Sequence, residues 1–168
     1  LRTRAAAVPC AMDSTDDGAP REDPLPKDDE LDFVLDGLTN LDLPQPDVPL
    51  YYELWTWEGD CSILPGMWSR AVQGAFAGEA EHCTPEYFTK EFVHQPDFDT
   101  EGIFFVTHRG QCVGTCLLWP DASSTEAHAR VHWLAVDHEH RRLGLGRVLL
   151  LLAIHRAKAR GFNGALLR

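Results

Sequence analysis

The stretch that most narrows what this chain can fold into is 131–161. Val131-His132-Trp133-Leu134-Ala135-Val136 has the β-branched and aromatic character of a strand. It runs into a charged turn, 137–142, then into Leu143-Gly144-Leu145-Gly146, and then into a helical pattern over 144–160 that Gly161 stops. Glycines at 144 and 146 remove side chains where strand meets helix, so backbone N–H groups can converge on an anion. The helix N-terminus adds roughly half a positive charge at the same place. Two glycines at this spacing also suit a flexible helix cap, but the local charge favours the anion. From 130 to 168 there are eight basic residues and two acids, in a chain whose formal charge is −11. Neither GxxxxGK[ST] nor GxGxxG occurs, which counts against P-loop and Rossmann nucleotide folds.

The elements around this unit follow from turn and cap signals. An aromatic-rich strand is expected over 50–57, ended by Glu58-Gly59-Asp60. Asp60 or Ser62 can cap a helix over 63–76, and Thr84 followed by Pro85 starts a second over 84–94. Residues 103–107 and 111–119 flank His108-Arg109-Gly110 as a β-hairpin, and 129–136 follows after a polar loop. Residues 164–167 begin one further strand.

Charge is distributed unevenly. Residues 1–50 hold four basic residues against twelve acids, and 1–49 hold seven of the eleven prolines. Such a segment buries too little apolar area to offset the entropy of ordering, so 1–49 is expected to be a disordered leader ahead of a single domain at 50–168. The island Leu31-Asp32-Phe33-Val34-Leu35-Asp36-Gly37-Leu38 reads either as a docking segment for a partner or as a strip lying on its own domain. The overall acidity argues against wrapping nucleic acid, and the longest uninterrupted apolar run, seven residues at 148–154, is far short of a membrane span. Five cysteines without CxxC spacing suggest neither a disulfide framework nor a zinc site; reduced thiols in a cytoplasmic protein are expected, with no metal.

The segment Arg141-Arg142-Leu143-Gly144-Leu145-Gly146, between a strand and a long helix, resembles the Arg/Gln-x-x-Gly-x-Gly/Ala acyl-CoA signature of the GCN5-related N-acetyltransferases. The element order over 50–168 is similar to that family's as well. The resemblance implies an α/β (α+β) fold with a mixed, mostly antiparallel central sheet flanked by helices, truncated here after the start of its fifth strand. It implies acetyl-CoA as co-substrate, its pyrophosphate held by the backbone of Arg142, Leu143, Gly144, Leu145, Gly146 and Arg147, with Arg141 as the signature's first residue. The strand end Leu134, Ala135, Val136 would pair with the pantetheine arm as an added strand does, and a bulge there can aim one N–H at the thioester oxygen.

The expected reaction is direct transfer of an acetyl group to a primary amine, which must lose a proton before it can attack. His132 is the candidate base; a strand histidine can equally be a satisfied core residue. His132-Trp133-Leu134-Ala135-Val136 is similar to the His-x-Leu-Ala-Val strand of serotonin N-acetyltransferase, whose matching histidine is implicated in moving that proton; its upstream histidine is Arg130 here. His138 and His140 are assigned to packing or solvent, and Cys112 and Cys116, an even number apart, are expected on one face as apolar filler. Cys83 beside His82 is not expected to face it. Residues 51–129 carry three basic groups against twelve acids, which suits a cationic acceptor, a small molecule in preference to a protein lysine or N-terminus. The competing reading is a non-catalytic acyl-CoA-binding or scaffold domain. The general acid that protonates the leaving thiolate in the family would lie beyond 168.

Overall fold

Apolar periodicity at the helices and alternation at the strands produce two layers of helix around one sheet. The computed structural model describes residues 2–5, 31–55, 61–76, 78, 80–96, 98–120 and 127–167. Among them seven strands, β1 (Arg2–Ala5), β2 (Leu31–Asp36), β3 (Tyr52–Trp55), β4 (Ile103–His108), β5 (Gln111–Pro120), β6 (His128–Val136) and β7 (Gly164–Leu167), form one sheet in the order β1-β2-β7-β6-β5-β4-β3. All neighbours are antiparallel except β6 and β7, whose parallel pairing requires a crossover, supplied by helix α3 (Leu145–Ala159).

Helix α1 (Leu64–Ala75) buries Leu64, Trp68, Ala71, Val72 and Ala75, a stripe at helical spacing, against one face of the sheet. It starts behind a short 3-10 turn at Cys61–Ile63 with Pro65 in its first turn; Ile63 stands at the N-cap position with no side-chain hydrogen bond, and the expected cap Asp60 lies outside the described residues. Helix α2 (Pro85–Phe88) begins as expected, with the Thr84 hydroxyl accepting from the Tyr87 N–H at 3.2 Å, but passes into a π-turn, Thr89–Val93, closed by His94 N–H to the Thr89 carbonyl. The opposite face is covered by α3, whose Leu145, Val148, Leu149, Ala153 and Ala157 are buried with Phe104, Val106, Cys116 and Val131.

Two of the sequence expectations are corrected here. Residues 31–49 do not belong to a disordered leader. Leu31–Asp36 pairs antiparallel with β7, so the sheet continues past its expected fifth strand, and Leu38 is fully buried. The island at 31–38 therefore lies on its own domain. Residues 41–44 then run along α3: Leu41 and Leu43 join its apolar cluster, Lys158 donates to the Leu41 carbonyl, and His155 Nε2–H donates to the Pro44 carbonyl at 2.9 Å. The physical reason is α3 itself. The run Val148-Leu149-Leu150-Leu151-Leu152-Ala153-Ile154 is apolar on all sides, and the sheet can cover only one. The remainder of the expected leader, 1 and 6–30, lies outside the described residues.

The second correction concerns register. Val106 faces Gly114 but Thr107 faces Cys112, so β5 carries an extra residue at Val113. This bulge reverses the alternation, and Cys112 and Cys116 point to opposite faces, Cys112 toward α1 and Cys116 toward α3. A second bulge, the one the sequence suggested, lies in β6. Thr115 pairs with Ala135 and Leu117 with His132, leaving Trp133 and Leu134 opposite Cys116 alone. Trp133 adopts φ 51°, a left-handed conformation that costs an L-residue roughly 1–2 kcal/mol.

Candidate active site

The end of β6 and the start of α3 enclose a cleft of about 450 Å³ lined by Leu134, Ala135, Val136, Arg141, Arg142, Gly144, Leu145 and Gly146, with Ala75, Phe76 and His140 closing its other side. Eight of the ten expected cofactor residues are brought together there. Leu143 and Arg147, the other two, are exposed on the loop and first helical turn beside it. His132 is one turn of the bulge away, opposite Leu117, partly buried and outside the cleft lining.

Two backbone features set the chemistry of this cleft. β7 pairs with β6 only from His128 to Val131, so among the described residues the strand edge at 132–136 has a partner on the β5 side alone. At the helix end, Gly144 stands at φ 83°, which only glycine adopts without strain, and no side chain caps α3. The N–H groups of 145–147 are thus without an intrahelical acceptor, and the macrodipole adds positive potential. Arg141, Arg142 and Arg147 are exposed around them. The arrangement offers backbone donors and positive potential beside an open strand edge.

The charged turn is itself anchored. Asp137 caps the 3-10 turn His138–His140 by accepting from the Glu139 N–H at 3.0 Å. Arg141 donates Nε–H to the Val136 carbonyl at 3.1 Å and its guanidinium to the Ala75 carbonyl. His138 donates Nδ1–H to the Gly74 carbonyl at 3.1 Å. Two carbonyls of the last turn of α1 thereby gain donors where the helix dipole favours them. The approach needs a glycine: a Cβ at Gly74 would come within 2.9 Å of Asp137 Cγ. His140, assigned by sequence to packing or solvent, lines the cleft and shares a 2.8 Å hydrogen bond with the Tyr52 hydroxyl, beside His108 at 5.1 Å between ring centroids.

Burial pushes Cys112 up to about 12 and raises Cys116 further, so both stay protonated and unreactive near neutrality. His82 and Cys83, expected not to face each other, do meet at 3.5 Å between Nε2 and Sγ, but Cys83 is sealed in the core. Among the described residues no cluster of His, Cys, Asp and Glu could hold a metal ion, and no helix is long and apolar enough to cross a membrane. Ala75, Phe76 and His140 were missed by sequence reasoning. The first two reach the cleft only through the contact between α1 and the turn, which leaves no local signal; for His140, its place directly before Arg141 was the available one.

Comparison with known proteins agrees with this geometry. The sequence pattern of the acetyltransferase (GNAT) family matches residues 51–167. Among solved structures, a GCN5-related N-acetyltransferase from Sphaerobacter thermophilus superposes with TM-score 0.59 at 20% identity, covering 81% of this chain and 41% of its own. A second, from Kribbella flavida, gives 0.50 at 18%, covering 81% and 46%. An aminoglycoside acetyltransferase from an uncultured soil metagenomic sample gives 0.54 at 17%, covering 70% and 77%. The chain thus spans less than half the length of the first two. Their 81% coverage is more than 51–167 can supply, so those matches reach into the N-terminal segment that holds β2. No curated protein matches the sequence closely enough to count as a relative. On the match over 51–167 and the cleft where β6 meets α3, the chain belongs to the acetyltransferase (GNAT) family.

Proposed function

We propose that the chain is an N-acetyltransferase that moves an acetyl group from acetyl-CoA directly to a primary amine in a ternary complex. The observation that carries this reading is the cleft, an open strand edge running into a basic loop and an uncapped helix start. Its residues fit the co-substrate. The N–H groups of Leu145, Gly146 and Arg147 would hold the pyrophosphate with Arg142 alongside, and the backbone of Leu134, Ala135 and Val136 would pair with the pantetheine amides. Arg141 would hold the loop in place through Val136 and Ala75, and Leu143 and Gly144 complete the turn. Bound there, acetyl-CoA supplies an activated acetyl thioester.

The rest falls to the chain. The bulge at Trp133 and Leu134 leaves a backbone N–H outside the β5 ladder, and a donor so placed stabilises charge growing on the thioester oxygen by roughly 3–4 kcal/mol. His132 lies opposite Leu117, which packs on the α1 and α2 side, the bulge keeps Trp133 on that side too, and from there the imidazole takes the proton of the amine, directly or through water. The acceptor is a small cationic amine. The acidity of 51–129 supports this, as does the similarity to an aminoglycoside acetyltransferase that has been crystallised with sisomicin. A protein lysine or N-terminus would satisfy the same chemistry. A cytoplasmic location is supported by the burial of Cys83, Cys112 and Cys116 as thiols outside any disulfide.

The test is calorimetric titration of acetyl-CoA into the chain, followed by CoA release in the presence of small amines and of lysine peptides. Saturable binding with amine-dependent release is expected, and His132→Ala should lower turnover about 10²-fold or more at unchanged affinity for acetyl-CoA. Binding without release to any amine would make this a non-catalytic acyl-CoA-binding domain, and absence of binding would overturn the reading altogether.

A further inference from the structure

Among the described residues four non-glycine residues stand at positive φ, Tyr51, Arg109, Trp133 and Arg142, and of these Trp133 alone lies inside a strand. A bulky side chain at φ 51° is an outlier, and glycine, which adopts that conformation without penalty, is not used there. Something outside the local backbone has to hold it. The indole packs edge-on against Trp68, with ring centroids 5.1 Å apart and planes at 81°. Trp68 is wholly buried and wedged between Tyr87, Phe88 and Phe92. Trp133 is therefore fastened to α1 and α2 by its ring while its backbone belongs to β6. The conformation so held is the bulge: the ladder passes from His132 to Ala135, and the next residues along, Leu134 and Ala135, line the cleft.

We propose that Trp133 is a positioning residue for acyl transfer: its indole, locked against Trp68, holds the bulge that turns a backbone N–H toward the thioester carbonyl. The proposal rests on the acyl-CoA reading of the cleft. Trp133 touches the aromatic cluster and acts through the main chain, so a strained αL residue is kept where relaxing it would return the strand to a regular ladder and withdraw the donor. A side chain with no such anchor would let it relax.

The test is difference infrared spectroscopy of carbonyl-labelled acetyl-CoA bound to the 168-residue chain, with calorimetry for affinity. In the parent the bound carbonyl band should lie below its position in water. Trp133→Ala should return it toward the solution position while changing the Kd by less than about tenfold, since of the backbone groups assigned to acetyl-CoA only those of Leu134 lie in the bulge, and the pyrophosphate contacts and those of Ala135 and Val136 lie outside it. Trp133→Phe, which keeps a ring against Trp68, should retain the parent band. With an amine acceptor, the alanine variant should lose about 10²-fold in kcat at unchanged KM for acetyl-CoA. A residue that only supported the core would lower stability and affinity together and leave the band of the bound fraction in place. If the alanine variant does not fold, Trp133→Leu decides, because leucine fills apolar space but gives Trp68 no ring to pack against and still meets the penalty of positive φ. A broadened, solution-like band supports the proposal and a sharp parent-like band overturns it. An unmoved band in Trp133→Ala also overturns it while the acyl-CoA reading stands. A parent that binds no acetyl-CoA refutes that reading and this proposal together.

Discussion

Replacing Gly146 with Glu should strengthen the fold and weaken the site, two effects of opposite sign from one side chain. Gly146 is the second residue of α3 and lines the cleft. A Cβ there meets only Val136 Cγ2, at 3.9 Å, an ordinary contact. Removing a glycine from a helix contributes up to about 1 kcal/mol, less in the first turn, and a carboxylate at a helix N-terminus about 0.3–1 kcal/mol. The variant should therefore be more stable by about 1 kcal/mol, read as a higher urea midpoint at unchanged slope. The same carboxylate would stand about 5 Å from a pyrophosphate held by the first-turn N–H groups. At an effective dielectric of 20 that repulsion is about 3 kcal/mol, or roughly 150-fold in Kd for acetyl-CoA. Gly146→Gln has the same bulk without the charge, so the Glu-to-Gln ratio isolates the electrostatic part, which should shrink as salt is raised. Calorimetry on both variants decides. A Glu variant that is folded and binds within about threefold of the Gln variant would refute the assignment of this helix start to the anion.

Two further outcomes test the fold. A Cβ at Gly164 would overlap the imidazole of His128, which shares a 2.9 Å hydrogen bond with Asp36 across β7, and would come within 2.7 Å of the Leu35 carbonyl oxygen. Gly164→Ala should cost about 3–5 kcal/mol in urea unfolding, and adding His128→Ala should cost at least about 1 kcal/mol less than the sum of the single changes; simple additivity would place the clash elsewhere. Cys112 is an acid whose pKa burial raises to about 12, so the folded state keeps a proton that the unfolded chain loses above about 8.5. Its contribution is constant at lower pH and falls as pH rises through that window, by up to about 1.4 kcal/mol per pH unit; Cys112→Ala should lose stability less steeply between pH 9 and about 11, and equal slopes would contradict the burial argument.

What could be read from sequence was what local chemistry decides. The Gly144–Gly146 turn, the Thr84-Pro85 helix start and the hairpin at Arg109-Gly110 each carry their own backbone instructions, and α3 at Leu145–Ala159 matches the expected 144–160 within a residue. Single-residue insertions were not legible. Val113 is an unremarkable strand residue, and only its pairing against Thr107 and Val106 shows that the alternation breaks there and sends Cys112 and Cys116 to opposite faces. The composition of 31–49 was misleading because it was averaged with the acidic, proline-rich 1–30, whereas by itself it holds eight apolar side chains against four acids and three prolines. Leu35, Leu38, Leu41 and Leu43 are enough, since the surface they meet on α3 and β7 is already formed. The unused clue was the seven-residue apolar run of α3, which announced that something besides the sheet must cover it.

The pairing of β2 with β7 also sets an order of events. Phe33 lies opposite Leu167 and Asp36 opposite Gly164, partners separated by about 130 residues. Closing a loop of that length costs roughly 4 kcal/mol of chain entropy before any contact repays it, so this ladder forms late and raises the contact order of the whole domain. On a ribosome β2 emerges early and must wait for β7. Meanwhile the apolar flank of α3 stands uncovered, making the interval before Gly164–Leu167 arrives the one in which this chain is most exposed to aggregation.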